Sequence, residues 1–136
     1  MIDFVSHFKE CPLGVLATRD REGVKTRMFQ FLFADDKKLY FSTSSSKAVY
    51  KQLEANPNVS FCSHYPDLSV VVSISGKAVF TDDREMKEKI LEKDEEIKKI
   101  HLTADNPEFK VFYIHVEEVE QFDHFHHEER TIAEKL

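Results

Sequence analysis

At 136 residues the chain has the length of one domain and little room for a second. A hydrophobic fraction of 41%, with twelve Phe and four Tyr but no Trp, supplies a packed core and excludes a disordered chain. The net charge of -6, from 25 acidic against 19 basic residues, argues against a general nucleic-acid binder.

Met1–Glu10 has neither a basic start nor a long apolar run, and no later stretch reaches spanning length, so the chain reads as cytosolic with no membrane association. Ile2, Phe4, Val5 and Phe8 recur at helical spacing behind Asp3, which predicts a short helix ending at Cys11-Pro12. Leu13–Thr18 reads as a strand, Asp20–Gly23 as a turn, and Val24–Phe33 as a second strand. In that strand Lys25, Arg27, Phe29, Phe31 and Phe33 share one face. Another turn leads to a third strand over Lys38–Thr43, so the first three strands are expected to form an antiparallel meander.

Serines 44, 45 and 46 then lead into a short helix over Lys47–Ala55, with a serine expected at its cap, and Asn56-Pro57-Asn58 closes it. Strands follow over Val59–Tyr65 and Leu68–Thr81, the second bent at Gly76. Asp82 or Asp83 opens the longest helix, with Met86, Ile90, Ile97 and Ile100 as one apolar stripe among solvated charges. Lys110–Phe122 is the sixth strand, and residues 123–136 form a polar, histidine-rich tail. The expected architecture is a mainly β, six-stranded antiparallel barrel with short helices in a single domain over 1–136.

The segment Phe41-Ser42-Thr43-Ser44-Ser45-Ser46-Lys47 ends a strand in hydroxyls and begins a helix with a lysine. A helix start offers free N–H groups and partial positive charge to an anion, Lys47 adds a full charge, and Lys51 follows one turn on. Arg27 offers a planar fork for the same anion. Taken alone, the segment is better read as a plain serine-capped helix with solvated cations.

The order of the parts carries more. Leu13–Thr18, then Thr26-Arg27-Met28-Phe29, then Leu39–Thr43, Ser46-Lys47 and Leu53–Val59 together resemble the FMN-binding split barrels of the pyridoxamine 5′-phosphate oxidase-like family. The resemblance implies a split-barrel fold and a bound FMN at the seam of a homodimer. It implies that Arg27 and Lys47 hold the phosphate with Thr43 and Ser46, that Met28, Phe29 and Gln30 lie along the ring, and that Ser42 sits close by. No catalytic side chain is implied, because the flavin carries the redox chemistry. The implied activity is reduction of a small acceptor, with NADH or NADPH as a candidate donor; the alternative is a flavin-binding stress or storage protein without turnover. Another planar cofactor, haem or a deazaflavin, is a third reading. True pyridoxamine phosphate oxidases are longer and end in an arginine- and histidine-bearing segment, so vitamin B6 oxidation is not expected of this chain.

Other candidates have plain readings. His124, His126, His127, Glu128, Glu129 and His115 carry metal-ligating groups without a specific spacing, so no metal is expected. His64 is either a proton donor near the ring or an exposed strand-end residue. Cys11 and Cys62 lack a paired spacing and read as free thiols.

Overall fold

A computed structural model describes residues 1–123 and 130–136. The chain opens with helix α1 (Phe4–Glu10), where the Asp3 carboxylate accepts the N–H of Ser6 and caps the first turn. Its inner face buries Phe4, His7 and Phe8, and it stops at Cys11, where the following proline disfavours helical backbone. Strands β1 (Leu13–Asp20) and β2 (Gly23–Gln30) form a tight hairpin, with Gly23 at φ 130°, a conformation that L side chains rarely adopt.

The predicted strand Val24–Phe33 is two strands. After Gln30 the chain leaves β1: Phe31 N–H donates to the Pro12 carbonyl at 2.8 Å, and Leu32 N–H donates to the Tyr40 carbonyl at 3.0 Å. A short β3 (Phe33–Asp35) then pairs with β4 (Lys38–Ser44). Phe31 and Phe33 therefore enter different cores, and the single face expected for them does not hold.

Helix α2 (Ala48–Ala55) leads into β5 (Asn58–His64) and β6 (Val70–Thr81). Helices α3 (Arg84–Lys93) and α4 (Glu95–His101) precede the long β7 (Phe109–Asp123), and β8 (Arg130–Lys135) closes the chain. The predicted long helix breaks at Asp94, which ends α3 and whose carboxylate accepts from Glu96 and Ile97 N–H to start α4. Its stripe divides accordingly: Ile90 is buried, whereas Ile100 is 69% exposed.

The described strands form one eight-stranded antiparallel sheet in the order β2-β1-β5-β6-β7-β4-β3, with β8 paired to β7. This corrects two expectations. The third predicted strand lies against β7, so the opening meander is broken into two hairpins set at opposite ends of the sheet. There are eight strands rather than six: β4 covers β7 only over Phe109–His115, and β8, inside the predicted tail, satisfies the edge over Glu118–Asp123.

The sheet curls. The β6–β7 register shifts between Ser75 and Gly76, as predicted for Gly76, and a Cβ there would sit 2.0 Å from the His115 carbonyl oxygen. Curling brings β2 back toward β4, where Phe29 meets Phe41 edge-on at 6.1 Å. The main core is aromatic: Phe41 stacks on Phe112 at 5.4 Å and meets Phe61 at 4.9 Å, under Phe8 of α1. Each such ring contributes about 1.5–3 kcal/mol by leaving water. A second core of Phe33, Tyr40, Ile90, Leu91, Phe109 and Val111 seats α3 on the β3–β4–β7 end.

Candidate functional site

Strand β4 ends in Ser42, Thr43 and Ser44, and the chain turns directly into α2. Ser45 N–H donates to the Glu108 carbonyl at 2.9 Å, and the Ser44 and Ser46 hydroxyls lie 2.9 Å apart, so the corner is tied to the start of β7. The cap position is Lys47 and not a serine; its backbone is extended and its side chain makes no capping bond. The first-turn N–H groups of α2 are thus left without a side-chain cap, the condition under which a helix start accepts an anion.

Arg27 reaches the same region from β2. Its Nη1 donates to the Leu16 carbonyl at 3.1 Å and its Nη2 to the Gln52 side-chain oxygen, which also accepts from the Thr18 hydroxyl at 3.1 Å. The guanidinium is half-buried, and that burial pulls its pKa below the ordinary value, with Asp20 opposing. It stays cationic at neutral pH all the same.

Between β2, β4, α2 and α4 lies a cleft of about 250 Å³. It is lined by Arg27, Met28, Phe29, Gln30, Ser42, Thr43 and Lys47, seven of the eight residues named from sequence. Ser46 is the exception: it is exposed, outside the lining, and holds Ser44, which takes its place there. Lys51 is exposed and also outside the lining. The remaining wall, from Leu32, Val49, Ile97, Ile100 and His101, was not anticipated. Nor was Gln52, the support behind Arg27. No local sequence signal marks these residues, because their roles depend on where α2 and α4 pack.

One observation bears directly on what the cleft holds. The Thr43 hydroxyl is fully buried and has no hydrogen-bond partner among the described residues. An orphaned hydroxyl costs about 1–3 kcal/mol unless a ligand or water satisfies it. With two cations, uncapped helix N–H groups and an apolar wall of Met28, Phe29 and Leu32, the donor set fits a molecule that is anionic at one end and flat and apolar at the other.

The other candidates sit elsewhere. His64 is exposed at the end of β5, its Nδ1 2.6 Å from the Tyr65 carbonyl oxygen, and it does not line the cleft. Cys11 and Cys62 are free, and burial raises the thiol pKa of both. His115 lies exposed on β7 opposite Lys38, while His124, His126, His127, Glu128 and Glu129 fall outside the described residues. No described helix is long and apolar enough to cross a membrane.

The family model for pyridoxamine 5′-phosphate oxidase matches residues 3–123. The chain belongs to the pyridoxamine 5′-phosphate oxidase-like family. Its fold is shared with solved members. A NimC/NimA family protein from Clostridium acetobutylicum is 26% identical, with a TM-score of 0.81 over 96% of this chain and 91% of that one. General Stress Protein 26 from Bacillus anthracis is 20% identical, with a TM-score of 0.78 over 97% and 95%. A pyridoxamine 5′-phosphate oxidase-related, FMN-binding protein from Nostoc punctiforme is 13% identical, with a TM-score of 0.67 over 92% and 87%. No curated protein sequence matches the chain significantly. For a pyridoxamine 5′-phosphate oxidase-like chain, the donor set described above suits a flavin bearing a phosphate.

Proposed function

We propose that the protein is an FMN-dependent oxidoreductase that passes reducing equivalents from NADH or NADPH to a small acceptor. The observation that carries this reading is the convergence of Arg27, Lys47 and the unpartnered Thr43 hydroxyl on one cleft. Arg27 and Lys47 hold the phosphate, Arg27 as a fork and Lys47 as a point charge at the helix start. Thr43 donates its hydroxyl, and Ser46 acts by fixing Ser44. Met28 and Phe29 give the ring an apolar bed, while Gln30 and Ser42 offer hydrogen bonds to its polar edge. The flavin, when bound, supplies the hydride and electron chemistry. The side chains orient it and exclude water from one face.

The reading extends to a homodimer in the reducing cytosol. A cleft of about 250 Å³ falls short of the roughly 300–1,000 Å³ of pockets that enclose a small ligand, so a second wall is needed. Beside it β2 is an edge strand, and Val24 and Met28 are 69% and 63% exposed, next to Leu13 and Val15 of β1 at 64% and 41%. An apolar edge of this kind suits a second copy of the chain.

The test is an absorption spectrum of the untreated purified protein, followed by NADH and NADPH. A flavin spectrum that bleaches rapidly supports the enzyme. A bound flavin inert to both donors supports a stress or storage role, the reading favoured by likeness to General Stress Protein 26. A haem or deazaflavin spectrum, or no chromophore with no uptake of added FMN, overturns the assignment.

A further inference from the structure

His101 closes α4 and lines the cleft, yet no part of the proposed function uses it. Its placement is fixed from two sides. The ring stacks on Phe109 with centroids 4.5 Å apart and planes at 23°, and its carbonyl accepts the Asn106 side-chain N–H at 3.0 Å. Phe109 pairs across the ladder with Ser44, so the imidazole stands at the serine-lysine corner of the cleft. It is only 7% exposed. An imidazole held by stacking and lining a cleft that also holds the orphaned Thr43 hydroxyl is positioned to meet a ligand atom.

The charges around it say which kind. Lys47 approaches from the start of α2, Lys87 of α3 lies 6.0 Å from the other partner of the stack, the Phe109 ring, and Arg27 stands on the far wall. Among the described residues, Glu108, before β7, is the opposing charge felt at the ring. Burial first, and Lys47 second, hold the imidazole below its ordinary pKa, so the free protein carries it neutral at neutral pH. A phosphate dianion placed among these groups reverses the balance, because it brings two negative charges against Lys47, the cation that opposed protonation.

We propose that His101 is a third ligand of the flavin phosphate and that it takes up a proton from solvent when the phosphate binds. This rests on the flavin reading and adds to it a specific consequence: preference for FMN over riboflavin is coupled to pH through one imidazole. Arg27 and Lys47 are permanently charged, whereas His101 becomes cationic only with the anion in place.

Calorimetric titration of the full chain with FMN and with riboflavin tests it, at pH 7.5 in phosphate-free buffers of different ionisation enthalpy. At that pH the FMN phosphate, whose second pKa is about 6, is chiefly the dianion. FMN binding is expected to take up a measurable fraction of one proton, and riboflavin binding none. In His101→Gln the uptake disappears and the preference for FMN over riboflavin falls about tenfold, the worth of one charge-assisted hydrogen bond. FMN binding without proton uptake, or with the same uptake in His101→Gln, overturns the role of His101 and leaves the flavin reading standing. Failure of both ligands to bind overturns the two together. Should the variant not fold, the wild type suffices: the NMR titration of the His101 imidazole is expected to move up by about one pH unit or more with FMN, and an unmoved titration overturns the proposal.

Discussion

Gln52 holds Arg27. The guanidinium donates to the Gln52 side-chain oxygen, joining β2 to α2, and the Thr18 hydroxyl donates to the same oxygen at 3.1 Å. The arginine proposed to bind the phosphate is thus positioned by a residue on the very helix whose start is proposed to face that phosphate. Gln52→Leu removes the acceptor and keeps the bulk. FMN affinity is expected to fall by about 1 kcal/mol, the net worth of one hydrogen bond, and the flavin-free protein is expected to lose about 1–3 kcal/mol of stability, because the buried Thr18 hydroxyl loses its acceptor. Quenching of FMN fluorescence on binding measures it, and an unaltered dissociation constant would show that Arg27 needs no such support.

Lys47 is the cation at the uncapped start of α2. Lys47→Ala is expected to weaken FMN binding by about 1–3 kcal/mol through loss of a charge-assisted contact. Riboflavin, which lacks the phosphate, is expected to bind both proteins alike. Equal loss for the two ligands would place Lys47 away from the phosphate.

Val15 stands opposite Met28 across the β1–β2 hairpin, and both are exposed. Val15→Glu puts a charge in the middle of the apolar face proposed to meet a second copy. Light scattering at micromolar concentration is expected to give a dimer mass for the wild type with flavin and a monomer mass for the variant. A monomeric wild type with flavin bound would rule out the dimer.

His7 is buried between α1 and β5, its Nε2 3.0 Å from the Ser63 hydroxyl oxygen. Burial lowers its pKa, with the Ser63 backbone contact opposing. The unfolded chain therefore takes up the proton first, and stability rises with pH wherever it does so. The denaturation midpoint is expected to be level above about pH 7 and to fall as pH drops below the ordinary histidine value of about 6.5. His101, in the flavin-free protein, adds to the same trend. His7→Gln is expected to flatten much of the slope in urea titrations from pH 8 to 5; an identical slope would assign the acid sensitivity elsewhere.

Much of the barrel is legible in alternation. Strands β1, β4, β5, β6 and β7 fall within a few residues of their expected bounds, because each carries a period-two pattern bounded by turn residues. The errors lie where distant backbone decides. Phe31 and Leu32 look like strand continuation, and only their bonds to Pro12 and Tyr40 turn the chain aside. The segment Arg130–Lys135 acquires its strand from the uncovered edge of β7. Asp94 is one acid in a charged run, and its capping role becomes visible only once the helix has broken there. The site divides the same way. Arg27, Thr43 and Lys47 stand out as a linear succession, whereas Gln52 and His101 acquire meaning from the packing of α2 and α4.

The break at Asp94 has a bearing on how such a protein changes over time. Because α4 starts afresh on its own cap, the wall it lends to the cleft is a separate short element. Substitution at the exposed Ile100 reshapes the mouth without touching the arginine, the lysine or either core. If the proposed activity holds, new preferences for acceptors arise by editing the mouth-lining positions of one short helix, while Arg27, Lys47 and His101 are inherited unaltered.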